Sequence, residues 1–136
     1  MFNPKEITKD FIFYKGELYD AYSVLLDIFN TSNKEIILID NYARKELLDI
    51  LRNINKNFII ISKNINNILK EKYETQYNNI KFIYNNGFHD RYIIIDRKTL
   101  YSCEASFKDI KKYCFSIHKT DNKDETNKMI ENLELE

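Results

Sequence analysis

Short apolar runs alternate with helical apolar patterns through the first half of the chain. The runs Glu35–Asp40 and Asn57–Ser62 have unbroken apolar centres, which is typical of strands that are covered on both faces. Apolar residues at helical spacing predict three helices between and beside these strands, one from Glu17 to a stop at Asn30–Asn33, then Ala43–Ile54 and Ile65–Tyr77. Strands that alternate with helices predict parallel βαβ units.

From Ile80 the predicted strands follow one another closely, so we expect the sheet to continue with hairpin-like neighbours. Phe11–Tyr14 is predicted to be an edge strand or an anchor, and residues 1–10 a polar arm. Residues 120–136 are interpreted as a tail in which Asp124–Leu133 can form a short amphipathic helix. The later strands are predicted at Ile80–Tyr84, around Tyr92–Ile95, at Leu100–Cys103 and at Cys114–His118, with a helical turn around Phe107–Lys112. The sequence therefore predicts one α/β domain of 136 residues.

The composition limits which partners, compartment and cofactors we expect for this domain. The formal net charge is zero, so bulk electrostatic attraction cannot hold a nucleic acid, and any polyanion must meet a local basic patch. No apolar run reaches the length of a membrane span, and Met1–Asp10 lacks a secretory apolar core, which predicts a cytoplasmic protein without a membrane partner. Cys103 and Cys114 fit no metal-ligand spacing, and we expect neither a metal nor another cofactor.

The segment Phe88–Asp109 contains the candidate catalytic residues. Side chains alternate along a strand, so a strand through this segment would project His89 and Arg91 from the same face. An imidazole beside a fixed guanidinium suits an anion that must also be attacked or protonated, such as a phosphate ester. Asp96 is an odd number of positions from His89, and we interpret it as a structural residue that holds the turn at Arg97–Thr99.

Three further polar residues follow in the same segment. Ser106 precedes the predicted helical turn, where it could bind a phosphate or act as an ordinary N-cap. Lys108 could add a positive charge, although most surface lysines are simply solvated. Glu104 would repel a phosphate unless its carboxylate turns away or orients an imidazole.

His89-x-Arg91-x-x-x-x-Asp96 followed by Ala105-Ser106-x-Lys108 resembles the signature of the phospholipase D superfamily. The likeness is greater to bacterial domains that carry this signature once, and it covers roughly residues 16–118. Three features depart from the pattern. Arg91 stands where most members have lysine, and Glu104 stands where close relatives have glycine. The strand Cys114–His118 has no acidic residue, whereas catalytic members place there a carboxylate that orients the histidine.

The resemblance implies a phospholipase D-like mixed sheet flanked by helices on both faces, and a metal-independent phosphodiesterase or nuclease-like activity. In the superfamily mechanism the histidine, here His89, attacks phosphorus and forms a phosphohistidine, and a second histidine protonates the leaving oxygen. Arg91 would hold phosphate oxygens. One signature per chain implies a homodimer that pairs two His89 residues. His118 is the alternative second histidine, supplied by the same chain. The expected substrate is a nucleic acid or a nucleotide phosphodiester.

The end of the first parallel strand adds a candidate rim for the substrate, because ligands bind at the carboxyl ends of strands in open α/β sheets. Asp40, Asn41 and Tyr42 close that strand. The departures from the signature leave a second interpretation open. In it the domain has lost catalysis and serves as a dimerisation module or binds a phosphorylated ligand.

Overall fold

The computed structural model describes residues 10–14, 16–104 and 115–135. Within these ranges the chain forms a seven-stranded sheet and four helices. The strands are β1 (Asp10–Phe13), β2 (Ile36–Ile39), β3 (Phe58–Ser62), β4 (Ile80–Tyr84), β5 (Arg91–Ile95), β6 (Thr99–Cys103) and β7 (Phe115–Lys119). The helices are α1 (Leu18–Asn30), α2 (Lys45–Leu51), α3 (Asn67–Gln76) and α4 (Lys123–Leu133).

The sheet is mixed, with the strand order β1-β7-β6-β5-β2-β3-β4. β2, β3 and β4 are parallel, as the alternation of strands and helices predicts. β5, β6 and β7 form successive antiparallel pairs, which confirms the predicted hairpin-like neighbours, and β1 pairs antiparallel with β7. The two halves join where β5 lies antiparallel to β2, a pairing between strands that are far apart in sequence.

Each face of the sheet packs against helices because alternate strand residues are apolar on both sides. Helices α1, α2 and α3 cover the face that includes Leu38, Ile60 and Ile93. The other face, with Ile39, Ile61 and Ile94, packs against α4. Leu133 of α4 is buried there, so the region interpreted from sequence as a tail contributes a helix to the second layer.

Helix α2 is shorter than the predicted Ala43–Ile54, and hydrogen bonds at both ends explain the difference. The Ala43 N–H donates to the Asp40 carbonyl at 3.2 Å, so the chain makes a turn before the helix begins. The Ile54 N–H donates to the Leu51 carbonyl at 3.0 Å, which closes a tighter turn after the helix ends. Helix α3 also begins later than predicted, because the Asn66 side chain caps it by accepting from the Leu69 N–H at 3.0 Å.

β5 begins at Arg91, so the predicted strand that opens with His89 is wrong at its start. Residues 85–89 are irregular and Asp90 lies in a bend. The Asn85 side chain accepts from the Gly87 N–H at 2.7 Å, a local bond that favours a turn over a strand. At the other end, β5 leads into β6 through a turn in which the Lys98 N–H donates to the Ile95 carbonyl at 2.9 Å.

None of the described helices combines the length and the apolar character that a membrane crossing requires.

Candidate functional site

One edge of the sheet collects the polar residues that the sequence singles out. β2 and β3 end at this edge, β5 begins there, and Arg91 pairs in register with Cys103 at the end of β6. Asp40 continues β2 by one residue beyond the Ile39–Tyr92 pair, which places it beside Arg91. The Asp40 N–H donates to the Ile61 carbonyl at 3.0 Å, so the edge formed by these strand ends extends to β3. The candidate site therefore spans four neighbouring strands.

Arg91 is held at this edge by contacts on two sides. Its guanidinium carbon lies 5.2 Å from the centre of the Tyr42 ring. Its Nη1 donates to the Glu104 carbonyl oxygen at 3.3 Å. Its Nε is buried and has no hydrogen-bond partner among the described residues. A guanidinium has five N–H donors, so most of the donors of Arg91 have no bond to described protein atoms.

Asn41 ties together the loops around the site. Its Nδ2 donates to the carbonyl of Phe88, the residue before His89, and its Oδ1 accepts from the Lys63 N–H at 3.3 Å. Its own carbonyl accepts from the Asn64 side chain at 2.9 Å. The side chain is almost fully buried, at 5% exposure. Asn41 therefore connects the end of β2, the loop after β3 and the segment that carries His89.

His89 lies in the loop before β5 and is exposed. The predicted common strand face with Arg91 is therefore wrong, because only Arg91 belongs to the strand. No hydrogen-bond or ion-pair partner for the His89 imidazole is found among residues 10–14, 16–104 and 115–135. The Phe88 carbonyl fixes the backbone next to it through a bond from Asn41.

Asp40 is fully buried at the same edge, and its carboxyl oxygen accepts from the Tyr42 N–H at 2.8 Å. The Asp40 carboxyl also affects the pKa of the Cys103 thiol. Burial raises the pKa of the Cys103 thiol, nearby Asp40 raises it further, and Arg91 opposes the shift. Cys103 is therefore a neutral thiol at pH 7 and a core residue rather than a nucleophile.

Asp96 lies at the opposite end of β5 from Arg91 and takes no part in the edge that carries the site. Its carboxylate accepts four hydrogen bonds, from the Ser32 hydroxyl at 2.9 Å and from the N–H groups of Asn33, Lys34 and Glu35 at 2.8, 2.8 and 3.0 Å. Burial alone would raise its pKa, but these bonds outweigh that effect and lower the pKa of Asp96 to about 2. The residue is structural, as interpreted from sequence, but it holds the loop Ser32–Glu35 rather than the turn at Arg97–Thr99.

His118 lies on the other face of the sheet from Arg91. Its partner in register is Ser102, which pairs with Tyr92, whereas Arg91 pairs with Cys103. The His118 Nδ1 is 2.8 Å from an Asp10 carboxylate oxygen, and its Nε2 is 3.5 Å from a Glu104 carboxylate oxygen.

The Glu104 carboxylate therefore lies near an imidazole but makes no hydrogen bond to it. That imidazole belongs to His118 and not to His89. Sequence reasoning missed Asp10, because it is 108 residues from His118 and no short-range pattern connects them.

Ser106 and Lys108 lie outside the described residues, as do the predicted helical turn and Cys114. The flanks of that segment meet at the same edge of the sheet, where the Glu104 N–H donates to the Ser116 carbonyl at 3.2 Å. Within residues 10–14, 16–104 and 115–135, no group of three or more His, Cys, Asp or Glu side chains is arranged to hold a metal ion.

Solved structures with the same arrangement identify the fold. NucT from Helicobacter pylori superimposes with a TM-score of 0.64 at 16% identity, over 91% of this chain and 92% of that one. The fold is phospholipase D-like. TrmBL2, an archaeal chromatin protein described as showing a novel mode of DNA binding, superimposes with a TM-score of 0.54 at 11% identity. That match covers 96% of this chain and 51% of TrmBL2. No protein-family model and no curated protein matches the sequence.

Proposed function

We propose that this domain is a metal-independent phosphodiesterase that acts on a nucleic acid or a nucleotide phosphodiester through His89. The observation that carries the proposal is that Arg91, beside the His89 loop at the edge where β2 and β3 end, is clamped while most of its donors lack a partner among the described residues. A partly exposed guanidinium, most of whose donors have no bond to described protein atoms, is suited to phosphate oxygens. The likeness of the fold to a protein with a described mode of DNA binding supports a nucleic-acid substrate.

In the proposed reaction the His89 imidazole attacks phosphorus, and the bond to the leaving oxygen breaks. A second histidine gives that oxygen a proton, and water then releases the phosphohistidine. Arg91 holds the non-bridging oxygens, and Ser106 and Lys108 belong to the same site as candidate phosphate contacts.

The proposed second histidine is His89 of another copy, because His118 lies on the far face of the sheet from Arg91 and its Nδ1 is bonded to Asp10. This makes the active form a two-fold homodimer with an interface beside His89. Sedimentation equilibrium is expected to give twice the mass of the 16.4 kDa chain at assay concentrations. A monomer with full activity would overturn the paired-histidine site.

Hydrolysis of bis(p-nitrophenyl) phosphate and of single-stranded DNA by wild type and His89→Asn tests the proposal. Loss of the nucleophile is expected to lower the rate by roughly 100-fold or more, since nucleophilic roles account for several orders of magnitude. The far-UV circular dichroism and the melting temperature are expected to stay unchanged, because His89 is exposed. EDTA is expected to leave the wild-type rate unchanged.

Two further variants are measured beside His89→Asn. Arg52→Ala, at an exposed arginine that follows α2, controls for loss of a positive charge at Arg91. His118→Asn separates the two candidate second histidines, and a rate within twofold of wild type is expected if His89 of a partner supplies the proton. Equal rates for wild type and His89→Asn would refute the proposed chemistry. So would activity that disappears with EDTA and returns with Mg²⁺.

One observation favours the alternative, a domain that binds a phosphorylated ligand or dimerises without turnover. The His89 ring has no orienting partner in the part of the chain that the structure describes, whereas a nucleophilic histidine ordinarily needs one. In that case wild type would bind inorganic phosphate through Arg91 but would not hydrolyse either substrate. His89→Asn would then leave binding unchanged, and Arg91→Ala would weaken it.

A further inference from the structure

The contact between Tyr42 and Arg91 places the guanidinium over the face of an aromatic ring. The guanidinium carbon lies 5.2 Å from the ring centre, within the range of a cation–π contact. Nη1 donates to the Glu104 carbonyl, and Nε is buried. A ring on one side and a carbonyl at one end leave the side chain little freedom to rotate.

The ring of Tyr42 is itself held in place by the turn that follows β2. The Tyr42 N–H donates to the fully buried Asp40 carboxyl at 2.8 Å. The preceding residue, Asn41, bonds to the loop after β3 and to the segment before His89. The backbone at Tyr42 and just before it is therefore anchored, although 38% of the Tyr42 surface remains exposed.

Arginine and lysine differ at a site of this kind. A guanidinium presents a flat fork that stacks on an aromatic ring, whereas an ammonium group is a rotating point charge on a flexible stem. Two protein contacts at fixed positions can orient the fork but cannot orient an ammonium group in the same way. The arginine in place of the lysine of the signature and the tyrosine beneath it therefore form one unit.

We propose that Tyr42 is a positioning residue, which holds the Arg91 fork so that its unused N–H groups meet a phosphate oxyanion. The proposal rests on the proposed phosphate site and deepens it by assigning how the clamp is oriented. Tyr42 acts through Arg91 and has no part in proton transfer, so its phenol hydroxyl is dispensable.

The first test is an NMR measurement of the Arg91 side chain in wild type, Tyr42→Phe and Tyr42→Leu. The face of an aromatic ring shifts nearby protons upfield, so the Arg91 Hδ and Nε–H resonances are expected upfield of their random-coil positions in wild type and in Tyr42→Phe. In Tyr42→Leu they are expected to return toward random-coil values. Tyr19→Leu, the same change at an exposed residue of α1, is the control and is expected to leave them in place.

The second test is titration of the same four proteins with inorganic phosphate. Tyr42→Leu is expected to weaken phosphate binding roughly three- to tenfold, the range of an exposed to partly desolvated cation–π contact. Tyr42→Phe and Tyr19→Leu are expected to stay within twofold of wild type. In an Arg91→Lys background, Tyr42→Leu is expected to have a smaller effect, because the fork that it orients is absent.

These outcomes separate the two proposals. An Arg91 side chain without upfield shifts, or equal phosphate affinity in wild type and Tyr42→Leu, overturns the positioning role. Phosphate binding that depends on Tyr42 without any hydrolysis overturns only the phosphodiesterase. Failure of wild type to bind phosphate overturns both. If Tyr42→Leu does not fold, the wild-type shifts and the affinity of Tyr42→Phe still decide whether the ring, rather than the hydroxyl, matters.

Discussion

The charged residues at the two ends of strand β5 differ in how fully they are hydrogen-bonded. At the far end the Asp96 carboxylate accepts four hydrogen bonds, and Arg97 forms an ion pair with Glu35. At the near end the buried Nε of Arg91 has no hydrogen-bond partner among the described residues, and His89 is exposed. Buried polar groups are nearly always paired, so an unpaired donor marks a place where a ligand can supply the missing acceptor.

We therefore expect one end of β5 to matter for stability and the other end for the proposed function. The Asp96 end uses its hydrogen bonds to fix a loop of the fold, and a change there is expected to alter the free energy of unfolding. The Arg91 end has donors without a bond to described protein atoms, and under the proposed function a change there is expected to alter binding or turnover. Substitutions at the two ends should therefore affect different measurements.

The largest expected effect on stability is that of Asp96→Asn. The change removes a charged acceptor from four donors and leaves one side-chain amide oxygen, so we expect a loss of about 3 kcal/mol in the free energy of unfolding. Urea denaturation measures it. His89→Asn is the counterpart at the other end and is expected to change stability by less than about 0.5 kcal/mol.

A loss in Asp96→Asn no greater than that in His89→Asn would show that the four bonds do not stabilise the fold. Asp49→Asn, at an exposed pair on α2, controls for removal of a surface carboxylate and is expected to change stability by less than about 0.5 kcal/mol.

The pH dependence of the free energy of unfolding tests the role of the Asp96 end further. The folded pKa of Asp96 is about 2, below the ordinary value of 3.8, so its contribution to stability is complete above pH 4. It is lost as the pH falls toward 2, because the unfolded chain takes up the proton first. We expect about 2 kcal/mol to disappear over this range. Urea midpoints measured at several pH values should show this loss in wild type and a shallower slope in Asp96→Asn. Parallel slopes would contradict the prediction.

The smallest expected effect concerns the backbone of the turn after β5. Asp96 and Arg97 both have positive φ, at 53° and 58°, a conformation that favours glycine. Arg97→Gly and Arg97→Ala both remove the ion pair with Glu35, so their difference isolates the backbone term. The alanine variant is expected to be about 1 kcal/mol less stable than the glycine variant in urea denaturation. An alanine variant at least as stable would show that Arg97 carries no conformational cost.

The elements of the fold could be predicted because each has its own period or apolar run. Ile80–Tyr84 has the same bounds in sequence and structure, since apolar strand residues and the turn after them are local signals. The pairing of β5 with β2 could not be predicted in this way, because it depends on which strand buries the open side of β2. The start of β5 was predicted two residues early, since the bond from Asn41 to the Phe88 carbonyl that holds the loop is tertiary.

The candidate site was predictable to a similar depth. The types of residue in the segment Phe88–Asp109 pointed to phosphate chemistry, and the rim residue Tyr42 does contact Arg91. The role of Asp96 as structural followed from its position, but the loop that it holds lies more than 60 residues earlier in the chain. The grouping of Asp10, Glu104 and His118 required the sheet register that brings β1, β6 and β7 together. His89 as nucleophile, Ser106, Lys108 and the homodimer stay predictions.

The place of β2 in the sheet has a consequence for how the chain is made. All four of its residues are completely buried, and one of its two neighbours, β5, is synthesised more than 50 residues later. Until Arg91–Ile95 has left the ribosome, β2 presents an unpaired apolar edge of the kind that joins other chains. A fragment that ends at Tyr84 would therefore aggregate rather than fold as a βαβ half. The central sheet is complete only when the second half of the chain has paired with the first.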